Sequence, residues 1–217
     1  MENILAIETS TDTCSVSIGN YEEVFSYHEN IPQQHTENLL DIISNLLDES
    51  KLSYEDLSAV AVGIGPGSYT GVRLSCSVAQ GIAFSQGLGG ITLTSLELLS
   101  LQAYEETSSN SIIAISEPYM GKFYVVESTF LDGDMLSKCS LISEEAFVRE
   151  AFPKESQFVG EGCASFADIT NQLPGAYPRA SYLLKFALKK LNQGDLIEPE
   201  EILPIYLNDE NSWKKIK

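Results

Sequence analysis

Histidine is scarce in this 217-residue chain, tryptophan occurs once, and basic side chains number 13 against 31 acidic ones. Each shortage excludes something. With only His28 and His35, and with Leu39 four residues after His35, there is no helical histidine pair to hold a catalytic metal. The four cysteines, Cys14, Cys76, Cys139 and Cys163, lie far apart and form no CxxC or zinc-finger spacing, so they read as reduced, mostly buried thiols of a cytosolic protein. The opening MENILAIETS has neither a basic n-region nor a long apolar core, which argues against a secretory signal and for a cytoplasmic location. Residues 74–96 carry no charge, yet Gln80, Gln86, several serines and the cluster Gly87, Gly89 and Gly90 break the run. It reads as helix, turn and strand, not as a membrane span.

Charge is also unevenly spread. Residues 1–120 contain 16 acidic side chains and two basic ones, Lys51 and Arg73, whereas residues 121–217 hold 15 acidic and 11 basic. This polarity supports two lobes. Direct nucleic-acid binding requires Lys or Arg to replace phosphate counterions, and the first half has almost none, so any RNA contact is expected through a partner. Most of the acidic residues serve solubility, and a basic partner face would suit the remainder.

What the chain does have is the run Gly65-Pro66-Gly67-Ser68-Tyr69-Thr70-Gly71-Val72-Arg73. It follows a short β-branched segment, residues 58–64, that reads as a buried strand, and it opens a helix over residues 72–85. Glycine and Pro66 specify a sharp turn, with Thr70 or Ser68 as N-cap. In the helix, Val72, Cys76, Ala79 and Ala83 share one nearly flat face, and Leu74, Val78 and Ile82 share another. The flat face would let a second backbone approach closely, and the aliphatic face suits an ordinary core. Either the helix is sandwiched inside its own domain or it meets a partner helix. Residues 35–48 also read as a helix, in which Leu39, Leu40, Ile42, Ile43, Leu46 and Leu47 span more than the roughly 100° needed for one core contact.

The order of elements is α/β. Three strands (residues 4–8, 14–18 and 23–27), a helix from His35, strand 58–64, helix 72–85, strand 90–93 and helix 95–104 precede a polar break at 105–110. The series then restarts with strands at 111–115, 122–130 and 135–142, the last two joined by an Asp132-Gly133 hairpin turn. A helix at 143–151, a strand at 157–160 and a helix at 179–192 ended by Gly194 complete the second lobe. The expected domains are residues 1–107 and 108–217.

Two lobes that each begin with a three-strand meander resemble the duplicated actin, sugar kinase and Hsp70 (ASKHA) architecture, a ribonuclease H-like fold with mixed sheets. The segments LAIETSTDTCSVSI at 5–18, QHTENLLDII at 34–43 and VGIGPGSYTGVRLSCSVAQGIA at 62–83 resemble the bacterial TsaB (YeaZ) family most specifically. The likeness continues more loosely through MGKFY at 120–124, Gly160-Glu161-Gly162 and PIYL at 204–207.

The resemblance implies a noncatalytic subunit that pairs with TsaD, the enzyme transferring a threonylcarbamoyl group from an adenylate to the adenosine beside a tRNA anticodon. It implies that TsaE, an ATPase, joins the pair, that tRNA is met only through the complex, and that the same surface supports a homodimer when TsaD is absent. It also places that surface on the first two helices, which here makes His35, Asn38, Leu39, Ile42, Leu46, Thr70, Val72, Arg73, Cys76, Ala79 and Ala83 the interface candidates. ATP or threonylcarbamoyl-adenylate and a metal are expected on TsaD, with no cofactor in this chain.

The alternative is an ATP-using member of the superfamily or a metallopeptidase-like protein. Against ATP, Glu8-Thr9-Ser10-Thr11 lacks a glycine to admit a phosphate, and Pro118 in Glu117-Pro118-Tyr119 removes an amide donor. Lys122 stands where relatives commonly have an acid, and no Lys-Ser or Lys-Thr follows the glycines after residue 62.

Overall fold

The computed structural model describes residues 2–119, 121–149 and 152–205. Met120 and residues 206–217, which include the end of PIYL and the Trp213 tail, lie outside the described residues.

The chain divides into two compact units that do not follow a single cut. The first comprises Met1–Ser95 and Pro178–Pro204, and the second begins at Leu96 and runs to Tyr177. In the first, β1 (Asn3–Glu8), β2 (Thr13–Gly19) and β3 (Val24–Asn30) form an antiparallel meander. Beyond β1 lie β4 (Leu57–Gly63) and β5 (Gly89–Leu93), each parallel to its inner neighbour, giving the order β3-β2-β1-β4-β5.

Every residue of β1 and β2 is buried, so both sides of the sheet's centre are covered. Helix α1 (His35–Ser50) lies against β2 and β3, and α2 (Tyr69–Gln86) against β4, β1 and β5, with the two helices in contact. The helix expected to close the second lobe, α5 (Ala180–Asn192), instead packs on β1, β2 and β4 of this sheet. Its Ala180, Leu183, Leu184, Ala187 and Leu188 recur at helical spacing and are buried. The Ala180 amide donates to the Ser15 hydroxyl at 2.9 Å. A central strand buried on both sides needs a cover for each, and only residues far along the chain supply the second.

The second unit repeats the plan. β6 (Ser111–Tyr119), β7 (Lys122–Leu131) and β8 (Asp134–Ser143) are antiparallel neighbours, and β9 (Gln157–Val159) and β10 (Gln172–Leu173) run parallel to β6, in the order β10-β9-β6-β7-β8. Starting from the meander edge, both sheets read third, second, first, fourth, fifth, which is the duplicated actin/sugar kinase/Hsp70-like fold. Asp132 and Gly133 both have positive φ, +51° and +80°, as a tight hairpin turn demands.

Alternation on β6 divides the unit's apolar interior. Ile112 and Ala114 join Tyr124, Val126 and Phe130 with Leu96, Leu99 and Ala103 of α3 (Ser95–Thr107). Ile113 and Ile115 join Phe123 and Val125 with Phe147 of α4 (Glu144–Arg149). β6 does not stop at residue 115, the end that the sequence predicts: it continues with a register shift through Ser116 to pair Tyr119 with Lys122, so Glu117-Pro118-Tyr119 lies on the strand.

Candidate functional site

The first candidate is the turn after β1, where a member of this fold would hold phosphate. It is filled by the protein itself. Glu8, Thr9 and Ser10 are buried, and the loop after β4 lies on them through glycines. A Cβ on Gly63 would stand 1.8 Å from Glu8 Oε2, one on Gly67 2.3 Å from the Ser10 carbonyl oxygen, and one on Gly71 2.0 Å from the Thr9 carbonyl oxygen. Hydrogen bonds fasten the contact: the Ser68 amide donates to the Ser10 carbonyl at 2.7 Å, and the Thr9 hydroxyl to the Gly71 carbonyl at 2.8 Å. The glycines therefore let two backbones touch. Residues so packed do not fit a phosphate group.

Glu8 is held inside this junction. Its carboxylate accepts from the Ser10 amide at 2.5 Å and from the Ser95 hydroxyl at 2.9 Å. Burial pushes the carboxyl above the ordinary range, against the opposing pull of bonds from Ser10 and Ser95. Burial together with the nearby Glu8 charge pushes the Cys14 and Cys76 thiols up to about 12. Among the described residues, no three His, Cys, Asp or Glu side chains are grouped so as to hold a metal ion.

In the second unit, Glu117 accepts from the Gly121 amide at 3.1 Å and the Ser165 hydroxyl at 2.8 Å. Here too a glycine lies tight on the first strand, though at its middle: a Cβ on Gly160 would stand 2.2 Å from the Ile115 carbonyl oxygen.

The second candidate is the outward side of α1 and α2, and it reverses the expected assignment of faces. Val72, Cys76, Ala79 and Ala83 form the flat side, but it is pressed on the chain's own sheet: Cys76 is 2% exposed, and Ala79 and Ala83 are 0%. Small residues are needed there because the glycine junction draws α2 close to β4, where the Ser75 hydroxyl reaches the Gly63 carbonyl at 3.3 Å. His35, Leu39, Ile42 and Leu46 are likewise buried in the unit's own core, as are Ile43 and Leu47. The apolar arc of α1 is thus used against β2, β3 and α2, except for Leu40, which stays exposed. These eight interface candidates (His35, Leu39, Ile42, Leu46, Val72, Cys76, Ala79 and Ala83) are buried within the unit and offer a partner little side-chain surface.

Asn38, Thr70 and Arg73 do reach the surface. Ser68, not Thr70, caps α2, its hydroxyl accepting from the Gly71 amide at 3.3 Å. Arg73 lies over the Tyr69 ring at 3.2 Å from its centroid.

The aliphatic residues assigned to an ordinary core are the ones that face outward. Leu74, Val78 and Ile82 are only half-buried, and beside them Tyr69 is 70% and Phe84 75% exposed, with Leu40 on α1 at 60%. Ser77 and Gly81 lie between them, with no heavy atom within 4 Å of a Cβ built on Gly81. Residue size along α2 reports how close a neighbour comes, not which neighbour it is. The usable signal was the glycine run, which ties this helix to the β1 turn.

The family model described as TsaD, tRNA N6-adenosine threonylcarbamoyltransferase, matches residues 28–132. The chain is 33% identical to the tRNA threonylcarbamoyladenosine biosynthesis protein TsaB of Haemophilus influenzae over all of this chain and 98% of that one. It is 28% identical to the protein of the same name from Escherichia coli, over 98% and 97% of the two chains. Among solved structures, YeaZ from Pseudomonas aeruginosa superposes with a TM-score of 0.85 at 28% identity, covering 95% of this chain and all of that one. End-to-end similarity of this kind, with the glycine run and both sheets in place, makes the chain a member of the TsaB family.

Proposed function

We propose that this chain is a noncatalytic subunit in the formation of threonylcarbamoyladenosine in tRNA, acting in the cytoplasm by docking a TsaD-type transferase on the outward side of α1 and α2. The observation that carries the reading is the apolar strip Tyr69, Leu74, Val78, Ile82 and Phe84. It stays at the surface of a unit whose first-strand turn is closed to phosphate by its own glycine loop. Fully burying one such aliphatic or aromatic side chain contributes about 1.5–3 kcal/mol, so a handful suffices for a specific complex.

The match to a transferase family model over residues 28–132 spans both helices, which supports pairing of like with like: a related fold offers a comparable helix pair. In the same reading the pair recruits TsaE, tRNA is reached only through the complex, and a second copy of this chain covers the strip when the transferase is absent. ATP, the adenylate and metal belong to the transferase. The sealed turn weighs against an ATP-using or peptidase role for this chain.

The test is to mix the purified chain with the transferase and measure complex mass and tRNA modification. Val78→Arg, placed on the outward side, is expected to keep the fold and lose the complex, because a long cation cannot lie between close helices. Ala79→Arg is no test of docking, since Ala79 is core. A Val78→Arg chain that still forms the complex at full yield would sink the proposal.

A further inference from the structure

At the C-terminal end of the outward strip, α2 meets the 3-10 turn Pro199–Glu201 and leaves an open pocket of about 530 Å3 lined by Ser77, Gln80, Gly81, Phe84 and Glu200. Its construction is specific. The Gln80 side-chain amide donates to the Pro199 carbonyl at 3.0 Å and fixes the turn against the helix. Gly81 contributes no side chain, and the space above it is open. Phe84 stands at the rim, three-quarters exposed, and Glu200 contributes an exposed carboxylate.

We propose that this pocket receives one Lys or Arg side chain from the protein that docks on α2. The inference rests on the docking reading above and names its anchor. Charge and shape converge on that occupant. A long basic side chain can lay its methylenes over Gly81, present its cation to the Phe84 ring face and end at the Glu200 carboxylate. The last turn of α2 carries no basic residue, and although the Gly87 and Leu88 amides cap the Ala83 and Phe84 carbonyls, the residual negative end of the helix dipole favours an incoming cation. The unit that holds the pocket, residues 1–95 and 178–204, carries 16 acidic and six basic side chains and so adds a field of the same sign. An acidic side chain would be repelled here, and an aliphatic one would leave Glu200 facing apolar surface.

The experiment measures the dissociation constant of the full chain with its TsaD-type transferase at low and moderate salt, beside Val78→Arg as the docking control. Glu200→Gln is expected to weaken binding about tenfold and to flatten the salt dependence. Gly81→Leu, which fills the pocket, is expected to weaken it by about thirtyfold or more. Glu200→Gln should unfold thermally like the parent chain, and Gly81→Leu at the same temperature or higher, since Leu is the better helix former. Replacing the transferase's basic side chains one at a time by Met should reveal one whose loss adds nothing to that of Glu200→Gln. If Glu200→Gln and Gly81→Leu bind as the parent does while Val78→Arg does not, the pocket is overturned and docking stands. If the parent chain itself fails to bind, both fall.

Discussion

The first unit elaborates a sheet that the second keeps bare. Both place five strands in the same order, but between β4 and β5 the first inserts an 18-residue helix, whereas between β9 and β10 the second has only the 3-10 turn Glu161–Ser165 and a loop. Where the first unit covers that side with α1 and α2, the second relies on an aromatic group. Phe147 and Phe166 stack at 4.0 Å between centroids, and Phe123 and Phe152 lean on them. The difference teaches that the sheet is the shared frame and that the helix after β4 is the part that varies, which is where the proposed docking side lies. That helix displays a row of aliphatic side chains, Leu74, Val78 and Ile82, that its own unit leaves half-buried.

The sharpest break of this comparison is to cut the chain as its order of elements invites. A fragment of residues 1–107 lacks α5 and bares one side of β1, β2 and β4, and its cooperative thermal transition should be lost. Residues 1–95 joined by a flexible linker to 178–204 should fold, because every layer of the first unit is then present. Far-UV circular dichroism with a melting curve distinguishes the two. A folded 1–107 fragment would show α5 to be dispensable.

Next in size are the glycine junctions. Gly71→Ala in the first unit and Gly160→Ala in the second, where φ is +102°, should each destabilise by about 3 kcal/mol, since each Cβ meets a carbonyl oxygen. Gly81→Ala, ten residues along the same helix as Gly71, should stabilise by up to about 1 kcal/mol, as the site is open and Ala is the better helix former. Urea titrations read all three. Equal effects at Gly71 and Gly81 would contradict the close contact assigned to the first.

The smallest expected effect concerns Glu8. A carboxyl raised by burial binds its proton more tightly in the folded than in the unfolded chain, so its contribution is full below the unfolded value, about 4.3, and declines as pH rises toward the folded value. Gln reproduces the protonated form, accepting from the Ser10 amide and donating to the Ser95 hydroxyl. Glu8→Gln should therefore match the parent at acid pH and gain on it as pH rises through that window. A constant difference at all pH values would show that Glu8 is charged in the folded protein without penalty.

Much of the frame was legible in residue order. The meander, the helix from His35 and the Asp132-Gly133 turn are local signals, and local chemistry decides them. The site was less legible, for a physical reason. Val72, Cys76, Ala79 and Ala83 advertise close approach, but the neighbour they approach is set by Gly63, Gly67 and Gly71 against Glu8, Ser10 and Thr9, a contact more than fifty residues away in sequence. The membership of α5 was hidden likewise, because an amphipathic helix declares that it covers something without declaring what. Glu200 carried no signal at all, since only tertiary packing brings it beside Gly81.

The late arrival of α5 also bears on how the protein is born. At roughly 5–20 residues per second of synthesis, roughly 85 residues separate the emergence of β5 from that of the helix that finishes its sheet, an interval of about 4–17 s. Through that time the underside of the nascent sheet is bare, open to chaperones and unable to offer a finished platform. Under the docking reading proposed above, a finished platform is offered only once α5 has left the ribosome.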